Sequence, residues 1–138
     1  MRILSITAQK PDCTGSGIFL SELIKGFAEM GVEQAVVAGI YKDDVVILPD
    51  EVAFKPVYFN TVELPFAIAG MSDEMPYEST VYSKMTKDMV SRFEQVFVKN
   101  VTDVIEKFNP DLILCHHLYL LTALVRNKCV DKKIVGIC

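Results

Sequence analysis

Short, continuous apolar runs alternate along this chain with longer stretches of helical period. Short runs of this kind are typical of strands buried on both faces of a parallel sheet. They cover 2–7, 34–40, 54–59, 111–115 and 133–138. Apolar positions three or four apart predict helices over 17–30, 80–108 and 118–127. The alternation predicts a Rossmann-like α/β fold, a three-layer sandwich with a mainly parallel sheet.

Turn residues mark the ends of the predicted helices. Gly31 is expected to supply the C-cap of the first helix. Asn109 before Pro110 ends the longest helix, which would extend over roughly 40 Å. Two segments fit no period: 45–48 is only weakly strand-like, and 60–79 contains two prolines and a glycine. Because long loops in compact domains are usually functional or mobile, we expect 60–79 to be the most mobile segment.

Composition narrows the class of protein. The 138 residues are 51% apolar and 23% charged, with a net charge of −4, which predicts one globular domain and no nucleic-acid or anionic-membrane partner. Four irregularly spaced cysteines form neither a disulfide framework nor a zinc motif. Reduced thiols predict a cytoplasmic protein. No stretch approaches the ~20 apolar residues of a membrane span.

The turn between the first strand and the first helix is the first candidate site. Gly15, Ser16 and Gly17 could bring backbone N–H groups close to a phosphate. The alternative is a flexible turn in which Ser16 caps the helix. An NAD fingerprint would require glycine where Leu20 stands, and no P-loop sequence follows Gly15. A dinucleotide-dependent dehydrogenase and a P-loop NTPase are therefore disfavoured.

His116 and His117 close the fourth strand at its C-terminal end, which in a parallel sheet faces the ligand crevice. Adjacent strand residues point to opposite faces, so the pair is not expected to chelate one metal ion, and no metal site is predicted. We expect at least one of the two to bind a sugar hydroxyl or a phosphate. The alternative is a structural histidine bonded to the backbone.

Met75 and Tyr77 flank Pro76 in an apolar and aromatic stretch of the 60–79 segment. Such a stretch could form a lid or a platform for an acceptor substrate, and both residues are therefore candidate substrate-binding residues. The alternative is packing against the long helix. No catalytic residue can be assigned from the sequence.

In their order and spacing, these pieces resemble the N-terminal domain of family 4 glycosyltransferases, which have the GT-B fold. The matching pieces are Met1-Arg2-Ile3-Leu4, the turn at 14–17, Gly31 before Ala35-Val36-Val37, Met75-Pro76-Tyr77, the long helix, and Pro110-Asp111-Leu112-Ile113 leading into His116-His117-Leu118. The resemblance spans essentially the whole chain.

The resemblance implies a division of labour between two domains. This domain would hold a hydroxyl-bearing acceptor, and a C-terminal domain outside the sequence would bind most of a nucleotide-sugar donor. Transfer would proceed with retention at the anomeric carbon and without a metal or another cofactor. The family's next His-Gly motif and its second domain are both missing before the last residue, Cys138. We therefore expect a piece of a longer protein that is inactive alone and prone to self-association.

Two other classes of protein stay open. One is half of a GT-B-fold sugar-nucleotide epimerase, which would act on its donor without an acceptor. The other is a flavodoxin-like module that binds a flavin or a nucleotide and is complete at this length. A receiver-type module is disfavoured, because Gln9, Lys10 and Asn60 stand where that class requires acids.

Overall fold

The computed structural model describes all residues, 1–138, as a wholly parallel five-stranded sheet with helices on both faces. The strands are β1 (Arg2–Thr7), β2 (Glu33–Ile40), β3 (Ala53–Tyr58), β4 (Ala69–Gly70), β5 (Thr80–Val81), β6 (Leu112–His116) and β7 (Ile134–Ile137). The helices are α1 (Gly15–Glu29), α2 (Lys87–Phe108) and α3 (Leu120–Lys128). The large sheet has the order β3-β2-β1-β6-β7, and β4 pairs with β5 separately. The predicted Rossmann-like α/β fold is confirmed.

Alternate residues of β2 face the two sides of the sheet and so divide the core in two. Val37 belongs to the larger cluster, which α2 and α3 cover with residues such as Phe93, Phe97 and Val125. Val36 belongs to the smaller cluster, which α1 covers. Phe93 and Phe97 have no exposed surface, and burial of each side chain contributes about 2–3 kcal/mol. The sheet is thus buried on both faces, as its apolar runs predict.

Both ends of α1 have specific caps. The helix begins two residues earlier than the sequence predicts, because Thr14 and not Ser16 is the N-cap. The Gly17 N–H donates to Thr14 Oγ1 at 3.1 Å. At the other end Gly31 has a φ of 72°. Its N–H donates to the Ala28 carbonyl at 2.9 Å, and the next N–H donates to the Phe27 carbonyl at 3.0 Å. This Schellman arrangement confirms the predicted role of Gly31.

Helix α2 begins later than its apolar pattern predicts. The pattern starts at Thr80, but Thr80 and Val81 form β5 and pair with β4. The helix starts only after Thr86, whose side chain accepts the Met89 N–H at 3.2 Å. Its 22 residues extend over about 33 Å, less than predicted. None of the helices combines the length and the apolarity that a membrane crossing requires.

The two segments without an apolar period in the sequence are 45–48 and 60–79. Residues 45–48 form no strand, and Val45 and Ile47 are largely exposed. In 60–79, by contrast, Leu64, Ile68 and Ala69 are fully buried in the larger cluster. The longest exposed run is 71–74. Part of the segment is thus packed into the core and part is exposed, and the expectation that 60–79 is the most mobile segment stays a prediction.

Candidate functional site

A cavity of about 290 Å³ lies at the carboxyl ends of β1 and β6. These neighbouring strands are followed by connections that run in opposite directions along the sheet. Ligands of open parallel sheets bind in the crevice at this switch point. The cavity is lined by Gly15, Ser16, Phe19, His116, His117, Ile137 and Cys138. Four of the seven sequence-predicted site residues are thus brought together here.

The first turn of α1 gives this cavity two free donors. Thr14 uses its carbonyl for the Ile18 N–H at 2.8 Å and its side chain for the Gly17 N–H. The N–H groups of Gly15 and Ser16 have no acceptor within the helix. They stand at the positive end of the helix dipole, where anions bind.

The two glycines of the turn have different surroundings. A Cβ on Gly15 would have nothing within 4 Å, whereas one on Gly17 would lie 2.7 Å from the Lys10 carbonyl oxygen and 2.9 Å from the Asp12 nitrogen. Gly17 is also absent from the cavity lining. Close approach of a ligand to the backbone therefore suits Gly15, while Gly17 allows α1 to pack against the preceding loop.

His117 joins the two sides of the cavity. Its Nε2 lies 2.9 Å from Ser16 Oγ, across a separation of 101 residues in the sequence. Its backbone has a φ of 69°, and its N–H donates to the Ile137 carbonyl at 2.8 Å. This left-handed residue turns the chain out of β6, so the alternation of a strand no longer applies. Contrary to the prediction of opposite faces, both histidines line one cavity.

His116 is only 5% exposed, and its Nε2 has no hydrogen-bond partner. Burial, with a smaller contribution from His117, lowers the pKa of His116 to about 4. Burial also lowers the pKa of His117. Both imidazoles are therefore neutral at pH 7. An unpaired buried nitrogen is costly, so a ligand that pairs with His116 Nε2 would recover that cost.

Met75 and Tyr77 lie away from this cavity. Met75 packs over Gly70, with its Cγ 2.8 Å from the point where a Cβ of Gly70 would stand. The Tyr77 ring lies 4.9 Å from Lys10 Nζ, and burial raises the pKa of Tyr77 to about 12. These contacts, and the packing of Tyr77 against the larger cluster, fit the packing interpretation, and a role of the two residues in substrate binding stays a prediction.

Sequence reasoning missed a charged cluster beyond the end of β1. Lys10 Nζ lies 2.6 Å from Asp44 Oδ1 and 4.5 Å from the centroid of the Tyr41 ring. The Lys10 side chain is only 11% exposed. The sequence does show that Lys10 follows a buried strand. Its partners Asp44 and Tyr41 follow a different strand, so their contact with Lys10 was not predictable from the sequence. No group of three His, Cys, Asp or Glu side chains that could hold a metal ion is present.

No protein-family model matches the sequence, and no curated protein sequence is a significant match to it. Solved structures do match its fold. A sucrose-phosphate synthase from Thermosynechococcus elongatus superposes with a TM-score of 0.61 at 12% identity, over 99% of this chain and 32% of that protein. A protein described as a UDP-N-acetylglucosamine 2-epimerase from Listeria monocytogenes gives 0.54 at 11% identity, over 99% of this chain and 30% of that one.

A further match is the teicoplanin deacetylase Orf2, with a TM-score of 0.52 at 14% identity, over 97% of this chain and 66% of that protein. This chain thus spans about a third of the length of the synthase and of the epimerase. At these identities the likeness shows the fold alone. That fold is the Rossmann-like α/β domain found in GT-B proteins.

Proposed function

We propose that this chain is the acceptor-side domain of a nucleotide-sugar-dependent glycosyltransferase with the GT-B fold, of the family 4 type that its motifs resemble. The observation that carries the proposal is the donor set of the cavity. Two free N–H groups at the start of α1, and the side chain of His116 with its unpaired Nε2, belong to residues that line the cavity at the switch point of the sheet. A phosphate oxygen suits all three groups.

These donors would act on the leaving group of the reaction. When the bond between the anomeric carbon and the diphosphate breaks, negative charge develops on the phosphate oxygen. The Gly15 and Ser16 N–H groups, and His116 in its Nε2–H tautomer, would donate to that oxygen. Because His116 is neutral, it supplies a hydrogen bond without a second charge. Preorganised donors of this kind are each worth about 3–4 kcal/mol of transition-state stabilisation.

The rest of the donor requires a second domain in this proposal. The cavity, at about 290 Å³, is too small to hold a base and a ribose as well as a sugar. Positioning of two reactants accounts for ~7–11 kcal/mol of such a barrier. The 138-residue chain alone should therefore bind donors no better than millimolar, on the order of 4 kcal/mol, and should transfer no sugar.

The experiment compares two variants of α1, Gly15→Val and Gly26→Val, in the protein that carries this domain together with its C-terminal domain. Gly15→Val fills open space at the cavity, and Gly26→Val fills open space elsewhere on α1. With a panel of nucleoside-diphosphate sugars and hydroxyl acceptors, Gly15→Val should abolish transfer while Gly26→Val retains it. Equal activity of the two variants would refute the role of Gly15.

Calorimetric titration of the 138-residue chain with the same donors tests the division of labour. Micromolar binding of any donor would show that the chain is a complete binding unit. Epimerisation of a donor without an acceptor would instead favour the epimerase, and a yellow purified protein would favour a flavin-binding module. The localisation proposed for the parent protein is cytoplasmic, and its fractionation tests that directly.

A further inference from the structure

Ser16 and His117 stand in the relation of a nucleophile and its general base. Their 2.9 Å contact falls within the ~2.6–3.2 Å over which an imidazole activates a serine hydroxyl. Thr14 Oγ1 lies 3.0 Å from Ser16 Oγ and already accepts the Gly17 N–H. Thr14 can therefore donate its one proton to Ser16, which leaves the Ser16 proton free to point at His117 Nε2.

His117 is held in place by its backbone. Its N–H donates to the Ile137 carbonyl, and its own carbonyl accepts the Thr122 hydroxyl proton. In a catalytic triad a carboxylate orients the histidine. Here the two hydrogen bonds fix the backbone of His117, and the contact of Nε2 with Ser16 Oγ positions the ring. Burial lowers the pKa of His117, so the imidazole is neutral at pH 7, the form that a general base requires.

The cavity beside Ser16 is also equipped to hold a carbonyl oxygen. Gly15 and Ser16 line the cavity with N–H groups that have no acceptor within the helix, the kind of donor that forms the oxyanion hole of an acyl-transfer enzyme. The buried, unpartnered Nε2 of His116 is an independent sign that a polar ligand atom belongs at this site. Phe19 and Ile137 give the cavity an apolar wall, which suits a short acyl chain.

We propose that Ser16 is a nucleophile and that this cavity hydrolyses short-chain carboxylic esters, with O-acetyl groups on alcohols or sugars as the substrate class. The site assigned to phosphate under the proposed function uses the backbone N–H of Ser16. The esterase uses the same N–H groups to hold the carbonyl oxygen and, in addition, the Ser16 hydroxyl as its nucleophile, so only the esterase requires the Ser16 side chain.

The reaction balances with water as the only co-reactant. Ser16 Oγ forms a bond to the carbonyl carbon while His117 Nε2 takes the hydroxyl proton. The bond from that carbon to the alcohol oxygen then breaks, and the leaving alcohol receives the proton from His117. Water attacks the acyl-serine, His117 again takes and returns a proton, and a carboxylic acid is released with Ser16 restored.

The test measures hydrolysis of p-nitrophenyl acetate and labelling by a fluorophosphonate probe with the 138-residue chain. The probe forms a bond between Ser16 Oγ and phosphorus and expels fluoride. Ser16→Ala keeps the backbone N–H, and His117→Asn keeps a residue that tolerates left-handed backbone. Ser83→Ala changes an exposed serine outside the site. Thermal unfolding of each variant checks that it is folded.

We expect kcat/KM for the ester to fall at least 100-fold in Ser16→Ala and His117→Asn and to stay unchanged in Ser83→Ala. Mass spectrometry should place the label on Ser16, and excess ester should slow the labelling. A wild-type rate no greater than that of folded Ser16→Ala, or a label on another residue, would overturn the proposal. The glycosyltransferase proposal is tested separately, by Gly15→Val against Gly26→Val in the two-domain protein, so failure of the esterase test does not decide it.

Discussion

Replacement of Gly17 by alanine tests the packing at the base of the candidate site. Gly17 is the third residue of α1. Within a helix, alanine is normally more favourable than glycine. In this structure its Cβ would lie 2.7 Å from the Lys10 carbonyl oxygen, 2.9 Å from the Asp12 nitrogen and 3.3 Å from the Pro11 carbonyl carbon. All three neighbours are backbone atoms, so a side chain cannot rotate away to make room.

The expected magnitude is a balance of two effects. Overpacking of this kind costs about 1–3 kcal/mol, since the loop or the helix must shift. The gain in helix propensity from glycine to alanine offsets up to about 1 kcal/mol. We therefore expect Gly17→Ala to lower the free energy of unfolding by about 1–2 kcal/mol. For a domain of this size, that corresponds to a melting temperature lower by roughly 3–8 °C.

Urea unfolding followed by circular dichroism measures this change against two controls on the same helix. Gly15 and Gly26 have nothing within 4 Å of their Cβ positions. Gly15→Ala and Gly26→Ala should be neutral or stabilising by up to about 1 kcal/mol. If Gly17→Ala proved as stable as these controls, the loop before α1 would yield freely, and the steric reason for a glycine at this position would be wrong.

Three further perturbations have definite expected results. Gly31→Ala should lower the free energy of unfolding by about 1–2 kcal/mol in urea, because Gly31 has a φ of 72°; a neutral change would contradict the Schellman cap. Asp44→Asn should cost about 1–3 kcal/mol by the same assay, because it leaves the Lys10 ammonium, which is mostly buried, without its anion; the exposed Asp88→Asn is the matched control and should cost under about 0.5 kcal/mol. The His116 pKa is lowered to about 4, so the unfolded state binds a proton between about pH 6.5 and 4 that the folded state does not. The resulting stability is present above pH 6.5, and acidification removes on the order of 2–3 kcal/mol of it. The free energy of unfolding, measured at pH 7 and 4.5, should fall less in His116→Gln than in the wild type. An equal fall in the two proteins would refute the buried neutral imidazole.

The sheet was predictable because its central strands are apolar runs, and such runs indicate burial on both faces. Seven of the eight residues of β2 are buried. In a globular chain a short apolar run of this kind is typical of a buried strand. The start of α2 was not predictable in the same way. Thr80 and Val81 continue the apolar period of the helix, yet they pair with Ala69 and Gly70. This short pairing, between segments eleven residues apart, and the Thr86 cap outweigh the local helical pattern before Lys87.

The candidate site was predicted in position but not in detail. Its turn and its histidines follow strand ends, and the carboxyl ends of parallel strands always meet at one edge. Which glycine faces the cavity depends on the path of the Lys10–Asp12 loop, which no local pattern encodes. The burial of Leu64 and Ile68 likewise depends on a core formed by distant strands. The local sequence of 60–79 therefore does not show that part of the segment is packed into the core.

The backbone of His117 decides what this edge of the sheet can do. Four other residues have positive φ, namely Asp12, Asn60, Asn109 and Gly31, and all are types with little or no steric cost there. His117 is the one aromatic residue among the five, and the conformation costs about 1–2 kcal/mol for an ordinary side chain. Its N–H donates to the Ile137 carbonyl and its own carbonyl accepts from the Thr122 hydroxyl, and these two hydrogen bonds hold it in place. Without this conformation, strand alternation would turn His116 and His117 to opposite faces, and Ser16 would lose its imidazole partner. Strain that the surroundings maintain is found most often at functional sites, and here it is what brings a hydroxyl, two imidazoles and a helix N-terminus to one cavity.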